Sequence, residues 1–373
     1  MRVKPGRDRR GGGPSREAGN ASYDVPRAEA AVDGRWLVVG RDGRLTAYAR
    51  TGGGLLRWTE IRPGGPHWSG PDFFAAPDVT DVSLAQGADG YVHFVARRSR
   101  GAAGETATVD IAHAIQYQPG RPVTEWRSVG NPQRTAEKER RIGVPAAVVS
   151  RSGRVHVFVR NAGGGVCMRR EAANGRWEPW RDLKGAKLRD GMAVAATGSG
   201  CADVLVPGDG SAARWRQSEP DGAVERCPDL TVAMADGSAT ALETAPERMT
   251  FYWTDPATGQ LVAHRPDGLP VPLGGSRAEG RIAALRTPID GYDCTVLAHR
   301  TLDGQVMLAA CGTENEGAGL WWSPVGERCA QSPALARDAY GRVVVAFVDT
   351  AGALRVARQS PEPGLVMESA TRV

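Results

Sequence analysis

Residues 144–185, VPAAVVSRSGRVHVFVRNAGGGVCMRREAANGRWEPWRDLKG, decide the fold. Turns rich in Gly, Asn and Ser divide them into four short runs, each rich in β-branched or aromatic residues and too short for an ordinary helix. In the second run Val155, Val157 and Val159 share one face of a strand, while Arg154, His156, Phe158 and Arg160 share the other. A strand with apolar residues on both faces needs neighbours on both sides, so this four-stranded meander predicts a blade stacked between two others.

The same layout recurs along the chain. It starts at Asp33 (DGRWLVVGRDG, RLTAYARTGG, GLLRWTEIRPGG, PHWSGPDFF) and again at Asp78, there with a longer second hairpin around Arg98 to Val109. Degenerate copies start at Met192 and Gly237, another at Gly280, and a last one runs from QSPALARDAYG to the C-terminus. Seven units over residues 31–373 average about 49 residues, the length of a four-stranded propeller blade. The expected fold is therefore all-β, a seven-bladed β-propeller of four-stranded antiparallel blades. The blades are expected at about 33–77, 78–132, 143–191, 192–236, 237–279, 280–331 and 332–373. The polar run from Gln133 to Arg141 reads as an exposed insertion or short helical loop, and residues 1–30 as a disordered basic tail.

Composition agrees with a turn-rich ring. The 48 glycines and 25 prolines make up about a fifth of the 373 residues, well above average usage and without a collagen period. The 47 basic and 42 acidic residues leave a net charge of +5, of which residues 1–20 carry most, so the body is close to neutral and a nucleic-acid partner is not expected. Arginine supplies all but four of the basic residues, a bias that fits a GC-rich, actinobacterial type of genome. No apolar run is long enough for a membrane span. The twin arginine at Arg9 and Arg10 is followed by polar and glycine residues where a signal peptide carries its apolar core, so the expected location is cytoplasmic. The alternative is extracellular, reached by a non-classical route or with an exported partner.

None of the six cysteines forms a CxxC pair, so no metal site is expected. Cys294 and Cys311 lie symmetrically about a hairpin turn at Thr301–Gly304. They read either as a cross-strand disulfide or as two buried thiols.

At the residues quoted above, the turn glycine, the aromatic-Val-Arg strand end and the Trp-x-x-Trp segment, the chain resembles bacterial seven-bladed lectin propellers related to the fucose-binding lectin of Photorhabdus. It is more loosely similar to fungal fucose lectins and tectonins. The resemblance implies carbohydrate binding, of fucose-type or methylated sugars, in clefts between blades, by an arginine, an acid and an aromatic platform. Matching positions are Arg50 with Glu60 in the first unit and Arg160 with Glu171 in the third; elsewhere the acid becomes glutamine, as at Gln116, Gln217 and Gln359. Trp58, Trp126, Trp177, Trp180 and Trp215 are the candidate platforms. A second reading of the same residues makes the charged pairs cross-strand ion pairs and the tryptophans wedges between blades.

Enzymatic chemistry has little support. There is no nucleophile elbow, zinc-protease motif, P-loop or dinucleotide fingerprint, so no cofactor is expected, and the histidines recur with the repeat. The apolar first strands carry only Asp78, Asp81 and Glu243 as acids. The expected function is a non-catalytic lectin-like module; a protein-interaction scaffold within a larger assembly is the alternative, and a glycoside-acting enzyme the third.

Overall fold

A computed structural model describes residues 27–101 and 107–373. Most of the expected tail lies outside these residues. The described chain forms seven sheets in sequence order, each built on an antiparallel meander, with the short strand Asp33–Gly34 added in parallel to the second. Their first strands are Leu37–Val39, Val79–Gln86, Ala146–Val149, Ala193–Ala196, Thr240–Ala245, Ala278–Ile289 and Ala334–Arg337. A central channel is lined by residues of the first strands of six of these sheets and, in the first, by residues 31–36 just before the strand; the blades are numbered 1 to 7 below. The degenerate fourth and fifth copies are complete four-stranded blades, and the Gln133–Arg141 run holds one exposed helical turn, Ala136–Glu139. Among the described residues no helix is long and apolar enough to cross a membrane.

The alternation in blade 3 sorts side chains between two interfaces. Val155, Val157 and Val159 enter a core with Val95, Val109 and Ile111 of blade 2. Phe158 turns the other way, into a core with Val204, Val206 and Trp215 of blade 4. Each blade thus buries both faces, and the sheet edges inside the ring are very short.

Among the described residues, ring closure uses no exchanged strand. Blade 7 is built from residues 334–372 and the main sheet of blade 1 from residues 30–75. One apolar core joins Val344, Ala346 and Val356 of blade 7 to Leu45 and Leu56 of blade 1 and on to Phe94 of blade 2. Polar contacts complete the seam: Ala28 N donates to Gly352 O at 3.0 Å, and Arg342 Nη2 to Gly64 O at 2.6 Å.

All six cysteines are free thiols. In blade 6, Cys294 lies opposite Gly312 and Cys311 opposite Thr295. This one-residue offset sends the two sulfurs to opposite faces of the sheet, which removes the disulfide reading.

Five histidines, His93, His113, His156, His264 and His299, are buried packing groups held neutral. His93 Nδ1 lies 3.0 Å from His113 Nε2, with the rings stacked and both residues buried. Burial pushes His93 down to about 4 and, helped by the charge His93 would carry, His113 down to about 3. Burial also lowers His156, His264 and His299. In the unfolded chain these groups protonate near pH 6.5, so between there and about pH 4 the unfolded state binds more protons. Their contribution is present above pH 6.5 and is lost on acidification, by up to about 1.4 kcal/mol per pH unit for each histidine. Urea midpoints are expected to fall from pH 7 to pH 4.5, less so in a His93→Gln/His113→Gln variant. A flat midpoint over that range contradicts this account.

Candidate functional site

On the face where chain passes from one blade to the first strand of the next, the channel opens into a cavity of about 590 Å³. Three Asp-Gly pairs help to build its wall: Asp33-Gly34, Asp190-Gly191 and Asp236-Gly237. Gly191 and Gly237 both have positive φ, 92° and 65°. A Cβ on Gly191 would stand 2.6 Å from Gly237 Cα, so these two connections meet backbone to backbone and only glycine fits.

Four arginines and four aspartates line the mouth: Arg50, Arg160, Arg189 and Arg281, with Asp33, Asp81, Asp190 and Asp236. Three pairs are formed. Arg160 holds Asp190 bidentately, Nε to Oδ1 at 3.1 Å and Nη2 to Oδ2 at 2.8 Å. Arg189 Nη1 lies 2.7 Å from Asp236 Oδ1. Arg281 reaches Asp33 through Nε at 2.5 Å and Nη2 at 3.0 Å, and also donates to the carbonyls of Ala239 and Met192. That guanidinium therefore ties blades 4, 5 and 6 to the entering chain. The Arg50 guanidinium makes no ion pair or hydrogen bond among the described residues, and the Asp81 carboxylate accepts only the Thr80 hydroxyl, at 3.1 Å.

An unengaged guanidinium fork beside carboxylate acceptors can bind neighbouring hydroxyls from both sides. No aromatic side chain lines this cavity, so a stacking platform is not part of it. The carboxylates of Asp33, Asp190 and Asp236 are already committed to guanidinium partners, an arrangement suited to accepting hydrogen bonds. Among the described residues, no group of three or more His, Cys, Asp or Glu could hold a metal ion.

The structure joins Arg50 and Arg160 across the mouth but separates each from its expected acid. In blade 1, Arg50 lies opposite Leu55, while Glu60 sits beyond the Thr46–Thr59 pair at the other end of the hairpin. In blade 3, Arg160 pairs with Val166, while Glu171 N bonds Val155 O. The ends of successive antiparallel strands point in opposite directions, so five residues of strand, about 16 Å, lie between the partners. They form neither a sugar clamp nor a cross-strand ion pair.

The acid position has a different occupation. Glu60 is fully buried; its Oε2 accepts Leu45 N at 2.8 Å and Gly64 N at 3.1 Å, and its Oε1 accepts Arg358. At the same place in blade 4, Gln217 accepts Ala202 N at 2.8 Å and donates to Gly222 O at 3.0 Å. In blade 7, Gln359 accepts Val343 N at 3.1 Å and donates to Gly364 O at 2.7 Å. The repeat therefore uses this side chain to fasten the second strand to the outer hairpin. Burial raises the half-buried carboxyl of Glu171 above the ordinary glutamate value, opposed by a hydrogen bond with the Val155 backbone.

The tryptophans fill space between blades. Trp58 and Trp215 are buried in the cores, and Trp126 packs against Phe94 with centroids 6.3 Å apart. Trp177 stands edge-on to His113 at 5.5 Å, and Trp180 lies 6.0 Å from the Arg169 guanidinium. Beside Tyr48 and Gln116, between blades 1 and 2, the remaining cavity is about 10 Å³, too small for a sugar.

Asp33, Asp81, Arg189, Asp190, Asp236 and Arg281 were not foreseen as a site. A sequence signal did exist: Asp-Gly recurs just before the first strands of blades 4 and 5, and again at 33–34. It reads locally as a turn, and only ring closure turns it toward a shared centre.

No protein-family profile matches the chain, and no curated protein matches it significantly. Among solved structures it is similar to the BP39L lectin of Burkholderia pseudomallei, at 14% identity over 92% of this chain and 99% of that one, TM-score 0.67. It is also similar to an ulvan lyase of polysaccharide lyase family PL25, at 13% identity over 92% and 96% of the two chains, TM-score 0.54. The Hadza microbial sialidase Hz136 aligns at 11% identity over 88% and 73%, TM-score 0.50. At such identities the likeness is one of fold, shared by a lectin and by enzymes that act on carbohydrate polymers or conjugates.

Proposed function

We propose that this chain is a non-catalytic, lectin-like module that holds carbohydrate at the channel mouth. The observation carrying the reading is the convergence there of the unpartnered Arg50 guanidinium and the Arg160–Asp190 fork, in an open cavity with further carboxylate acceptors. Sugar hydroxyls both donate and accept, so they suit a wall of alternating guanidinium and carboxylate groups. The similarity of the ring to a lectin adds support, and fucose-type or methylated sugars are the first ligands to try.

A glycan array probed with the labelled full chain tests it. Saturable binding is expected, weakened about tenfold or more by Arg50→Ala, which removes a charged hydrogen-bond donor. Arg160→Ala is expected to act similarly while leaving the fold intact, because the pair is partly open to solvent. Binding to no glycan, or binding indifferent to both substitutions, overturns the reading.

The second reading, a scaffold for a protein partner, is favoured by one observation. Trp322 is anchored through Nε1 to Leu273 O at 2.9 Å, yet the adjacent Trp321 is 86% exposed. An exposed tryptophan on an anchored segment is a typical interface residue. A co-purifying partner released by Trp321→Ala would support it, and a native protein that purifies alone would count against it.

A further inference from the structure

The innermost strand of blade 1 is interrupted by a loop, longer than the register slips between Thr80 and Ser83 in blade 2 and between Glu279 and Ala283 in blade 6. Ala30 and Ala31 pair with Arg50 and Ala49, and pairing resumes at Tyr48 N to Trp36 O and at Leu37 opposite Ala47. The second strand runs unbroken opposite these two pieces, so Val32–Arg35 loops out of the sheet. The loop enters the channel, where Asp33 and Gly34 pair in parallel with Ser83 and Leu84 of blade 2. Val32 and Trp36, both buried, fix its two ends in the core shared by blades 7, 1 and 2.

Inside, the channel encloses a cavity of about 390 Å³. Its lining is mostly Ala and Val from the first strands and contains three charged residues, Asp33, Arg281 and Arg35. Asp33 and Arg281 neutralise each other. Arg35 makes no hydrogen bond or ion pair among the described residues. It is exposed, and it lines the channel. The surrounding walls lower its affinity for the proton by desolvation, with no nearby charge acting against them. Arginine does not escape such a place by giving up its proton, so the channel carries one uncompensated positive charge.

We propose that the central channel is a binding site for a small oxyanion, a carboxylate or phosphate group engaged bidentately by Arg35. The hydroxyls of Ser83, Thr240 and Ser332, also on the wall, are available to the rest of the ligand. The volume lies near the lower end of the roughly 300–1,000 Å³ of small-molecule pockets, so a compact organic acid or phosphate fits and a polymer does not. This site lies in the channel inside the mouth and shares Asp33 and Arg281 with it, but the proposal does not depend on the sugar reading there.

Calorimetric titration of the full chain at low ionic strength, with inorganic phosphate in one arm and glucuronate in the other, tests the proposal. Saturable one-to-one binding of at least one anion is expected. Arg35→Gln should weaken it tenfold or more, and Arg35→Lys, which keeps the charge but not the fork, by less. Without anion, Arg35→Gln should melt no lower than the parent chain, because it removes a charge that has no partner. Saturation by neither anion overturns the proposal, as does binding kept in Arg35→Gln but lost in Arg50→Gln, which would place the anion at the mouth. A melting temperature well below the parent for Arg35→Gln overturns it too, by revealing a structural partner for Arg35.

Discussion

Replacing Glu60 with alanine is expected to destabilise the ring by about 3–5 kcal/mol, the cost of removing one member of a buried, hydrogen-bonded charge pair. Glu60 and Arg358 are both almost fully buried at the seam between blades 1 and 7. Without Glu60, the nearest carboxylate left to Arg358 is Asp338, whose Oδ2 lies 3.7 Å from Nε and already accepts Arg342. Leu45 N and Gly64 N lose their acceptor in the same change. Among the described residues the seam has no exchanged strand to hold it while these groups find water, so the loss falls on ring closure itself.

Glu60→Gln separates the two roles of the side chain. Glutamine occupies the equivalent place in blades 4 and 7 and fastens the second strand there, so its amide oxygen should keep the Leu45 bond while its NH2, a donor, faces Arg358 and forfeits both the charge and the hydrogen bond there. An intermediate loss of about 2–3 kcal/mol is expected, in the range for a lost hydrogen bond to a charged group. Urea denaturation of the three proteins decides. If alanine and glutamine cost the same, the fastening role is absent; if neither moves the midpoint, the seam is held elsewhere.

The fold was readable because its information is local and repeated. Turn glycines mark each hairpin, and the alternation at Val155 to Phe158 already implied two buried faces, which the structure assigns to blades 2 and 4. Even degenerate blades keep enough β-rich runs between turns to form four strands. The site was less readable because its information is not local. Arg50 and Arg160 were singled out from the repeat, yet they meet only because the ring brings blades 1 and 3 to one mouth. Their assigned acids fail on direction: each arginine and its acid close consecutive strands, and in a hairpin the ends of consecutive strands lie far apart. The same kind of oversight, a register off by one, misplaced Cys294 against Cys311. The Val32–Arg35 loop had no signal at all, since a four-residue interruption in a strand looks like an ordinary glycine-bearing turn.

Trp215→Ala is expected to be the other large effect, and it distinguishes a packing residue from a sugar platform. The side chain is fully buried among Phe158, Val166, Met168, Val204 and Val206, at the interface of blades 3 and 4. Its Nε1 donates to Leu183 O at 3.2 Å in the fourth strand of blade 3, and the Arg226 guanidinium covers the ring at 4.6 Å. Truncation removes the apolar contact and leaves a cavity that two stiff sheets cannot close, for a loss of about 3–5 kcal/mol. Trp215→Phe retains most of the buried area and drops only the hydrogen bond and part of the ring, so a smaller loss of about 1–2 kcal/mol is expected. Glycan binding by the folded fraction should be the same in all three proteins, because no ligand can reach this ring without parting the blades. A tryptophan acting as a platform gives the reverse pattern, with binding abolished and the denaturation midpoint nearly unchanged, and that result would return Trp215 to the binding surface.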